Sequence, residues 1–154
     1  MSALRSWVVV HRHPYPNLRA VAVPTHAIND RFWHTAAMEP LYDSSGRVCA
    51  WIKDDTIREL NGAVVAFVRG EHIFTARGRT VGRLHQGNIR DMRGSVVAWL
   101  EGATGGPAKP VRSVTPVRPV AGVTPVRPVE PVTPVWPVPS RGWSSQSWSA
   151  FIQG

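Results

Sequence analysis

Between residues 38 and 104, hydrophobic and polar positions recur with a fixed period. From Pro40 onward the chain divides into four rows of sixteen residues that align without a gap. The rows read PLYDSSGRVCAWIKDD, TIRELNGAVVAFVRGE, HIFTARGRTVGRLHQG and NIRDMRGSVVAWLEGA. Self-similarity at a fixed period is typical of stacked or radially repeated structural units. The pattern therefore predicts one small unit that is repeated four times.

Each row contains two short apolar or β-branched stretches on either side of a turn signal. The signal ends on glycine in every row, at Gly46, Gly62, Gly78 and Gly94. Two such stretches around a turn are typical of a β-hairpin. The pair Asn61-Gly62 favours a two-residue turn, because these residues readily adopt the positive φ angles that tight hairpins need. The expected unit is strand, turn, strand and polar connector.

This turn also predicts which side chains share a face. Ile57 would lie opposite Ala66, and Glu59 opposite Val64. The resulting sets are Leu41, Val48, Ala50 and Ile52; Ile57, Val64, Ala66 and Val68; Ile73, Thr80, Gly82 and Leu84; and Ile89, Val96, Ala98 and Leu100. A lone hairpin is only marginally stable in water, so the four sets must be buried together. We expect an all-β fold with four hairpins around a pseudo-four-fold axis.

The opposite face of the predicted hairpins also carries large side chains. One of its columns consists of Trp51, Phe67, Arg83 and Trp99. A face this apolar is not expected to remain fully exposed to water, so a neighbouring hairpin or one of the tails should cover it. We take these four residues as the candidate interaction surface.

The repeated rows and the C-terminal end together resemble a known family. The opening MEPLYDSSGRVCAWI, the DxxGxxxAW-like rows, the Pro-Val tail and the ending WSSQSWSAFI are similar to the bacterial four-fold beta flower proteins, over about residues 38–154. The resemblance implies four hairpins arranged like petals, and it supplies no established activity and no catalytic residues. Row three departs from the aromatic pattern, with Arg83 in place of Trp or Phe.

The N-terminal 37 residues fit no row. We expect residues 1–37 to be disordered or a wrongly assigned extension, with Met38 as the true start, and residues 38–104 to form the β-repeat domain.

Prolines concentrate after the last row. Ten of the fourteen lie between Pro107 and Pro139, and five of them, from Pro125 to Pro137, fall at every third residue. This spacing matches the three-residue turn of polyproline II, so we expect residues 105–140 to form a semi-rigid spacer. Two alternatives stay open: a ligand for a proline-binding domain, and a strip that folds back over the aromatic face.

The last residues, 141–154, predict a short amphipathic helix. Ser144 and Ser145 can cap it, and three apolar side chains then lie on one side. With the tryptophan just before the helix, they form the candidate docking motif: Trp143, Trp148, Phe151 and Ile152. A helix of this length is unstable alone, so the segment should dock on this chain, on a second copy or on another protein.

Recognisable catalytic, phosphate-binding and metal-binding motifs are missing from the sequence. One cysteine, Cys49, excludes a disulfide scaffold, and no apolar run approaches the roughly 18 residues of a membrane helix. The carboxylates of Asp43, Glu59 and Asp91 share a column before the turn, where they are expected to stabilise it. We expect a cytoplasmic protein that is not an enzyme, with no catalytic, cofactor-binding or metal-binding residues and no contact with a membrane.

The net charge of +8 invites a nucleic-acid interpretation, but it is unevenly distributed. Residues 1–37 carry +3, residues 38–104 carry +1 and residues 105–154 carry +4. The repeat domain is therefore nearly neutral. We expect a small interaction or scaffold protein that binds a protein partner or itself through its C-terminal segment. The alternative is a nucleic-acid-binding module that uses arginine and aromatic side chains.

Overall fold

The structure, a computed structural model, describes residues 37–154. The predicted extension at 1–37 lies outside this range except for Ala37. The described chain contains four consecutive β-hairpins and one short helix. The strands are β1 (Glu39–Tyr42), β2 (Val48–Lys53), β3 (Thr56–Arg58), β4 (Val64–Arg69), β5 (His72–Thr75), β6 (Thr80–His85), β7 (Asn88–Arg90) and β8 (Val96–Trp99), and the helix is α1 (Trp148–Gln153).

The eight strands form a closed antiparallel barrel in chain order. This order follows from connectors of two residues, which can only join neighbouring strands, as between Lys53 and Thr56. The barrel closes where Tyr42 of β1 pairs with Trp99 of β8. Their ring centroids are 4.9 Å apart, and the Trp99 indole N–H donates to the carbonyl of Asp43 at 3.0 Å. The predicted all-β fold of repeated hairpins is confirmed.

A β-bulge in each hairpin alters the predicted register. Ile57 pairs with Ala66 as expected, but the next pair is Arg58 with Val64, so the predicted pairing of Glu59 with Val64 is wrong. Because neighbours on a strand face opposite sides, Val64 shares the outer face with Arg58. The inner face is occupied by the bulged residues: Val81 and Val97 belong to the core, and Cys49 and Val65 pack against it.

The bulge also explains the polar member of the predicted inner set. Thr80 corresponds to Val64, so it lies on the outer face, where its hydroxyl hydrogen-bonds Nε2 of His72 at 2.7 Å. Placing Val48, Val64, Thr80 and Val96 on the inner face was wrong. Sequence alternation alone does not reveal a bulge, because the inserted residue resets the period of two.

The hairpin turns have three residues rather than two. In row two, the Glu59 N–H donates to the Ala63 carbonyl at 2.8 Å, and the Gly62 N–H donates to the Glu59 carbonyl at 2.9 Å. Gly62 has a φ of +90°, whereas Asn61 is not among the described residues with positive φ. The turn is therefore a three-residue loop that ends on a left-handed glycine, and the predicted two-residue turn is wrong.

Two of the three aligned carboxylates stabilise these turns. Asp43 Oδ1 accepts from the N–H groups of Ser45 at 2.8 Å and Arg47 at 3.1 Å. Asp91 Oδ1 accepts in the same way from the row-four turn. In row two, the side chain of Asn61 takes this role instead of Glu59. The predicted turn role is confirmed for Asp43 and Asp91.

The barrel interior is filled by the inner side chains of all eight strands and by one residue of the helix. The core cluster consists of Leu41, Ala50, Ile52, Ile57, Ala66, Val68, Ile73, Val81, Leu84, Ile89, Val97, Ala98, Leu100 and Phe151. The helix that supplies Phe151 begins after Ser147, whose hydroxyl accepts from the Ala150 N–H. The predicted caps Ser144 and Ser145 are wrong by two or more residues.

Candidate interaction surface

The predicted aromatic surface lies under other parts of the chain. Trp51, Phe67 and Trp99 are at most 4 % exposed. The side chain of Arg83 is 11 % exposed and forms an ion pair with Glu71 at 3.6 Å. A second molecule could reach these four residues only if the covering segment moved away.

Phe67 and Arg83 are covered by the proline-rich segment, through Arg127 and Trp136. This segment carries a repeat of its own. From Pro110 the sequence reads PVRSVTPVR, PVAGVTPVR and PVEPVTPVW, and a fourth row begins PVPSRG. We call residues 110–140 the belt; the described chain has neither helix nor strand there. This nine-residue period was not predicted, although it is visible once residues 110–142 are written in rows of nine.

The belt binds three of the four hairpin turns, through residues nine and eighteen positions apart. The N–H of Ser113 donates to the Gly46 carbonyl at 2.8 Å, and that of Gly122 donates to the Gly62 carbonyl at 3.1 Å. The N–H of Ser140 donates to the Gly94 carbonyl at 3.0 Å. Each hairpin and the belt repeat that lies on it form what we call a sector, numbered one to four in chain order.

Glycine is required at these turns for a second reason besides its positive φ. A Cβ on Gly46 would overlap the carbonyl oxygen of Val111, and one on Gly62 would overlap that of Val120. The belt backbone therefore lies directly on the turn backbone, at a distance that only glycine permits.

Arginines hold the belt in sectors two and four. In sector two, Nη1 of Arg58 donates to the carbonyls of Gly62 at 2.9 Å and Gly122 at 2.8 Å. Its Nη2 donates to the hydroxyl of Thr124 at 2.8 Å. One buried guanidinium thus joins the turn to the belt.

Sector four repeats this arrangement. Nη1 of Arg90 donates to the carbonyls of Gly94 and Ser140, and Nη2 donates to that of Gly105. Burial, and then the nearby charge of Arg83, lower the pKa of Arg90. Arg58 and Arg90 were not predicted as functional residues, although both stand in the same column of the sixteen-residue repeat.

Sectors one and two also use contacts between a cation and an aromatic ring. The guanidinium of Arg112 lies 5.7 Å from the ring centroid of Tyr42, whose hydroxyl hydrogen-bonds Thr115. The guanidinium of Arg127 lies 5.5 Å from the ring centroid of Phe67 and pairs with Asp55. These two belt arginines therefore bind aromatic rings of the barrel through cation–π contacts.

Sector three uses different chemistry. His72 is buried, and its Nδ1 lies 3.0 Å from a carboxylate oxygen of Glu130. Glu130 also pairs with Arg69 at 3.1 Å. The ring of Trp136 packs edge-on against His72 and lies 5.8 Å from the guanidinium of Arg83.

The valines of the belt are exposed to solvent. Ten valines at every third residue are 85–97 % exposed: Val111, Val114, Val117, Val120, Val123, Val126, Val129, Val132, Val135 and Val138. Several side-chain contacts of the belt with the barrel come from residues that directly follow these valines, including Arg112, Thr124 and Trp136. We call the ten valines the valine stripe.

The predicted docking motif is seated on the chain's own barrel. Phe151 lies in the core, and Trp148 and Ile152 pack against it. Trp143 forms a parallel bridge with Val96, and the ammonium group of Lys109 lies 5.7 Å from its ring centroid. Of the three docking sites that the sequence left open, the structure shows the one on the same chain.

Burial and hydrogen bonds shift the pKa values of two titratable groups in the barrel, Cys49 and Asp43. Burial raises the pKa of the Cys49 thiol far above its ordinary value, which opposes formation of a nucleophilic thiolate. Burial also opposes ionisation of Asp43, but the hydrogen bonds from Ser45 and Arg47 outweigh it and lower the pKa of Asp43. Among residues 37–154, no group of three or more His, Cys, Asp or Glu side chains could hold a metal ion.

The arrangement of four hairpins agrees with the comparison with known families. The model of the 4-fold beta flower protein family matches residues 39–152. The chain belongs to this family. The beta flower family has no known enzymatic activity. No curated protein and no solved structure matches the chain. In the described part of this beta flower protein, no helix has the length and apolar character needed to cross a membrane.

Proposed function

We propose that this beta flower protein is a small non-enzymatic interaction or scaffold protein. Its barrel holds the belt, and the belt presents the valine stripe to a protein partner. One observation carries the proposal: ten valines at every third residue are 85–97 % exposed. Soluble monomers rarely expose so extended an apolar row, and such rows mark interaction sites.

The way in which the belt is held supports this function. The spacing of three residues between the exposed valines matches the three-residue turn of a polyproline II helix, the conformation predicted for this segment. Contacts in all four sectors fix the backbone before a partner arrives. A segment that is already ordered loses less conformational entropy on binding, which increases its affinity.

The C-terminal segment contributes differently from what the sequence suggested. Since Phe151 is buried in the barrel, residues 141–154 anchor the end of the belt to the domain. We propose that a partner binds the valine stripe, and that the docking motif keeps the stripe in place.

A second copy of the chain is the first partner to test, because the valine stripes of two copies have the same three-residue spacing and could pack against each other. The variant V117T/V120T/V123T/V126T keeps the β-branched shape and replaces a methyl group by a hydroxyl in each side chain. Burying a valine is worth about 1.5–3 kcal/mol, so association should weaken at least tenfold. Sedimentation velocity over a range of concentrations measures this.

The control variant R118K/A121S changes two exposed residues between the same valines. It should associate like the parent, and both variants should melt like the parent because the barrel contacts are unchanged. If the four-threonine variant associates as strongly as the parent, or if the parent stays monomeric and captures no protein that this variant fails to capture, the stripe is not the interaction surface.

The alternative function, nucleic-acid binding, receives less support. Single strands stack on exposed aromatic rings beside cations, whereas Trp51, Phe67 and Trp99 are buried. Arg83 already contacts Glu71 and Trp136. A salt-dependent mobility shift of labelled single strands by the full chain would favour this alternative over the protein partner.

A further inference from the structure

A cation and an aromatic ring have exchanged places between sectors two and three. In sector two the ring belongs to the barrel, as Phe67, and the cation to the belt, as Arg127. In sector three the cation belongs to the barrel, as Arg83, and the ring to the belt, as Trp136. Phe67 and Arg83 are sixteen residues apart and Arg127 and Trp136 are nine apart, so the two pairs occupy equivalent positions of both repeats.

This exchange distinguishes the observed register from one displaced by a single repeat. Moving the belt by nine residues in one direction would place Arg127 beside Arg83, so that two guanidinium groups would face each other. Moving it in the other direction would place Trp136 beside Phe67, with no cation for either ring. Both displacements lose a cation–π contact, and the first adds repulsion between like charges.

Sector three differs at a second pair of positions. Glu130 occupies the place of Arg112 and Ala121 in the earlier belt repeats, and it contacts His72 and Arg69. The row-two equivalent of His72 is Thr56, which has no ring nitrogen to contact a carboxylate. A displaced Glu130 would therefore lose the histidine contact.

Sector three also lacks the turn hydrogen bond of the other sectors. The residue nine positions after Gly122 is Pro131, which has no N–H to donate to the carbonyl of Gly78. In this sector, side chains therefore replace the backbone contact that is common to sectors one, two and four. A backbone N–H could donate to any of the turn carbonyls, whereas side-chain contacts depend on sequence.

We infer that the outer surface of the barrel is a binding site for a Pro-Val peptide of nine-residue period, and that the Arg83–Trp136 pair fixes the single register in which it is bound. The peptide is the chain's own belt. The inference rests on the proposed function insofar as it explains how the valine stripe is held in a defined position.

A double-mutant cycle in the full chain tests the pair. Its members are R83F, W136R and R83F/W136R, and the double variant recreates the order seen in sector two. Hydrogen exchange of the Gly122 and Ser140 amides reports belt binding in the two adjacent sectors. Each single variant should exchange at least tenfold faster at both amides, and the double variant should recover most of that loss.

A belt variant of unchanged composition provides the matched control. R127W/W136R exchanges the two belt residues, so its net charge and amino-acid content equal those of the parent. It should lose amide protection, because R127W leaves the Phe67 ring without a cation and W136R brings a second guanidinium group beside Arg83. This variant leaves the barrel sequence intact, so it decides the matter even if R83F fails to fold.

Two results would overturn the inference: parental amide protection in R127W/W136R, or a loss in R83F/W136R as large as the two single losses combined. Association through the valine stripe is measured separately, by the threonine variant. If the threonine variant associates like the parent, the proposed function is rejected. The inference about the register would still be decided by the amide exchange of the Arg83 and Trp136 variants.

Discussion

At the residue scale, one column of the repeat shows how different side chains serve the same location. The column reads Tyr42, Arg58, Phe74 and Arg90. Arg58 and Arg90 donate to turn and belt carbonyls, whereas Tyr42 packs under a belt arginine. Phe74 packs against Phe67 and His72, with centroids 6.0 Å and 5.4 Å apart. In each sector, this column of the barrel therefore supplies either a guanidinium group or an aromatic ring.

Replacing Arg58 by lysine should weaken the attachment of the belt. The guanidinium of Arg58 reaches two carbonyls and one hydroxyl at once, a geometry that a single ammonium group does not reproduce. We expect R58K to lose about 2–4 kcal/mol in the free energy of unfolding, measured by urea denaturation. The exposed Arg93 provides the control, since R93K should melt like the parent. Equal stability of R58K and the parent would show that the three hydrogen bonds of the Arg58 guanidinium are not required.

Cys49 is a bulge residue whose equivalents in the other rows are valines. C49V should change the free energy of unfolding by less than about 1 kcal/mol at neutral pH, because the side chains are similar in size and the lost hydrogen bond, from the weak thiol donor to the Leu41 carbonyl, is 3.4 Å long. Burial raises the pKa of Cys49 in the folded protein above its value in the unfolded chain. Its contribution to the free energy of unfolding is therefore fully present below the unfolded pKa and is lost as pH rises from there towards the folded pKa.

The parent should therefore lose stability between neutral pH and about pH 10, where a cysteine of ordinary pKa near 8.5 ionises in the unfolded chain. C49V should lose less stability over that range. Urea denaturation at several pH values measures the difference, and identical alkaline losses in both proteins would show that Cys49 does not contribute.

At the element scale, the bulges and the short helix depend on each other. Each bulge turns a residue such as Val81 or Val97 inward near the hairpin turns, where these residues join the core cluster with Phe151. Gly82 leaves room there, because a Cβ at that position would lie 2.9 Å from the Phe151 ring. The helix thus completes the core formed by the strands.

Removing the Phe151 ring should destabilise the domain and release the helix. A buried Phe→Ala replacement costs about 3–5 kcal/mol in the free energy of unfolding. F151A should show this loss by urea denaturation, together with faster amide exchange across residues 148–153. F151L, which retains an apolar side chain, should lose much less. A parental stability of F151A would show that the helix lies on the barrel without supporting it.

At the scale of the whole molecule, two sequence periods are joined. The barrel repeats every sixteen residues and the belt every nine, and the hydrogen bonds at Gly46, Gly62 and Gly94 bring the two repeats together. Because the belt starts after the fourth hairpin and returns to the first, it connects residues far apart in sequence. Barrel and belt should therefore unfold together.

A probe on the belt can test this cooperativity. In a C49V background, V129C places the one thiol of the chain on an exposed stripe position for a fluorescent label. The label and the circular dichroism of the barrel should report the same urea midpoint, as expected for a single cooperative transition. A belt signal that changes at clearly lower urea would show that the belt is an independent, weakly held unit.

Much of the architecture could be predicted because it is encoded by local patterns. The sixteen-residue period identified four hairpins, and columns containing Ile57, Ala66 and Val68 identified buried positions. The bulge at Val65 and the three-residue turn at Gly62 were missed, since an inserted residue and a left-handed glycine leave nearly the same residue pattern as a tight hairpin. The error displaced Thr80 to the wrong face.

The candidate surface was harder to predict, because burial by a distant segment is not a local property. Trp51, Phe67 and Trp99 were expected to form a surface that something covers, and Phe151 was expected to dock. The sequence determined the repeated hairpins, the period of the valines and the need for a partner to the apolar faces. Only the tertiary structure decided that the same chain provides this cover, because the contacts of Arg58 and Trp136 arise when residues more than fifty positions apart meet in space.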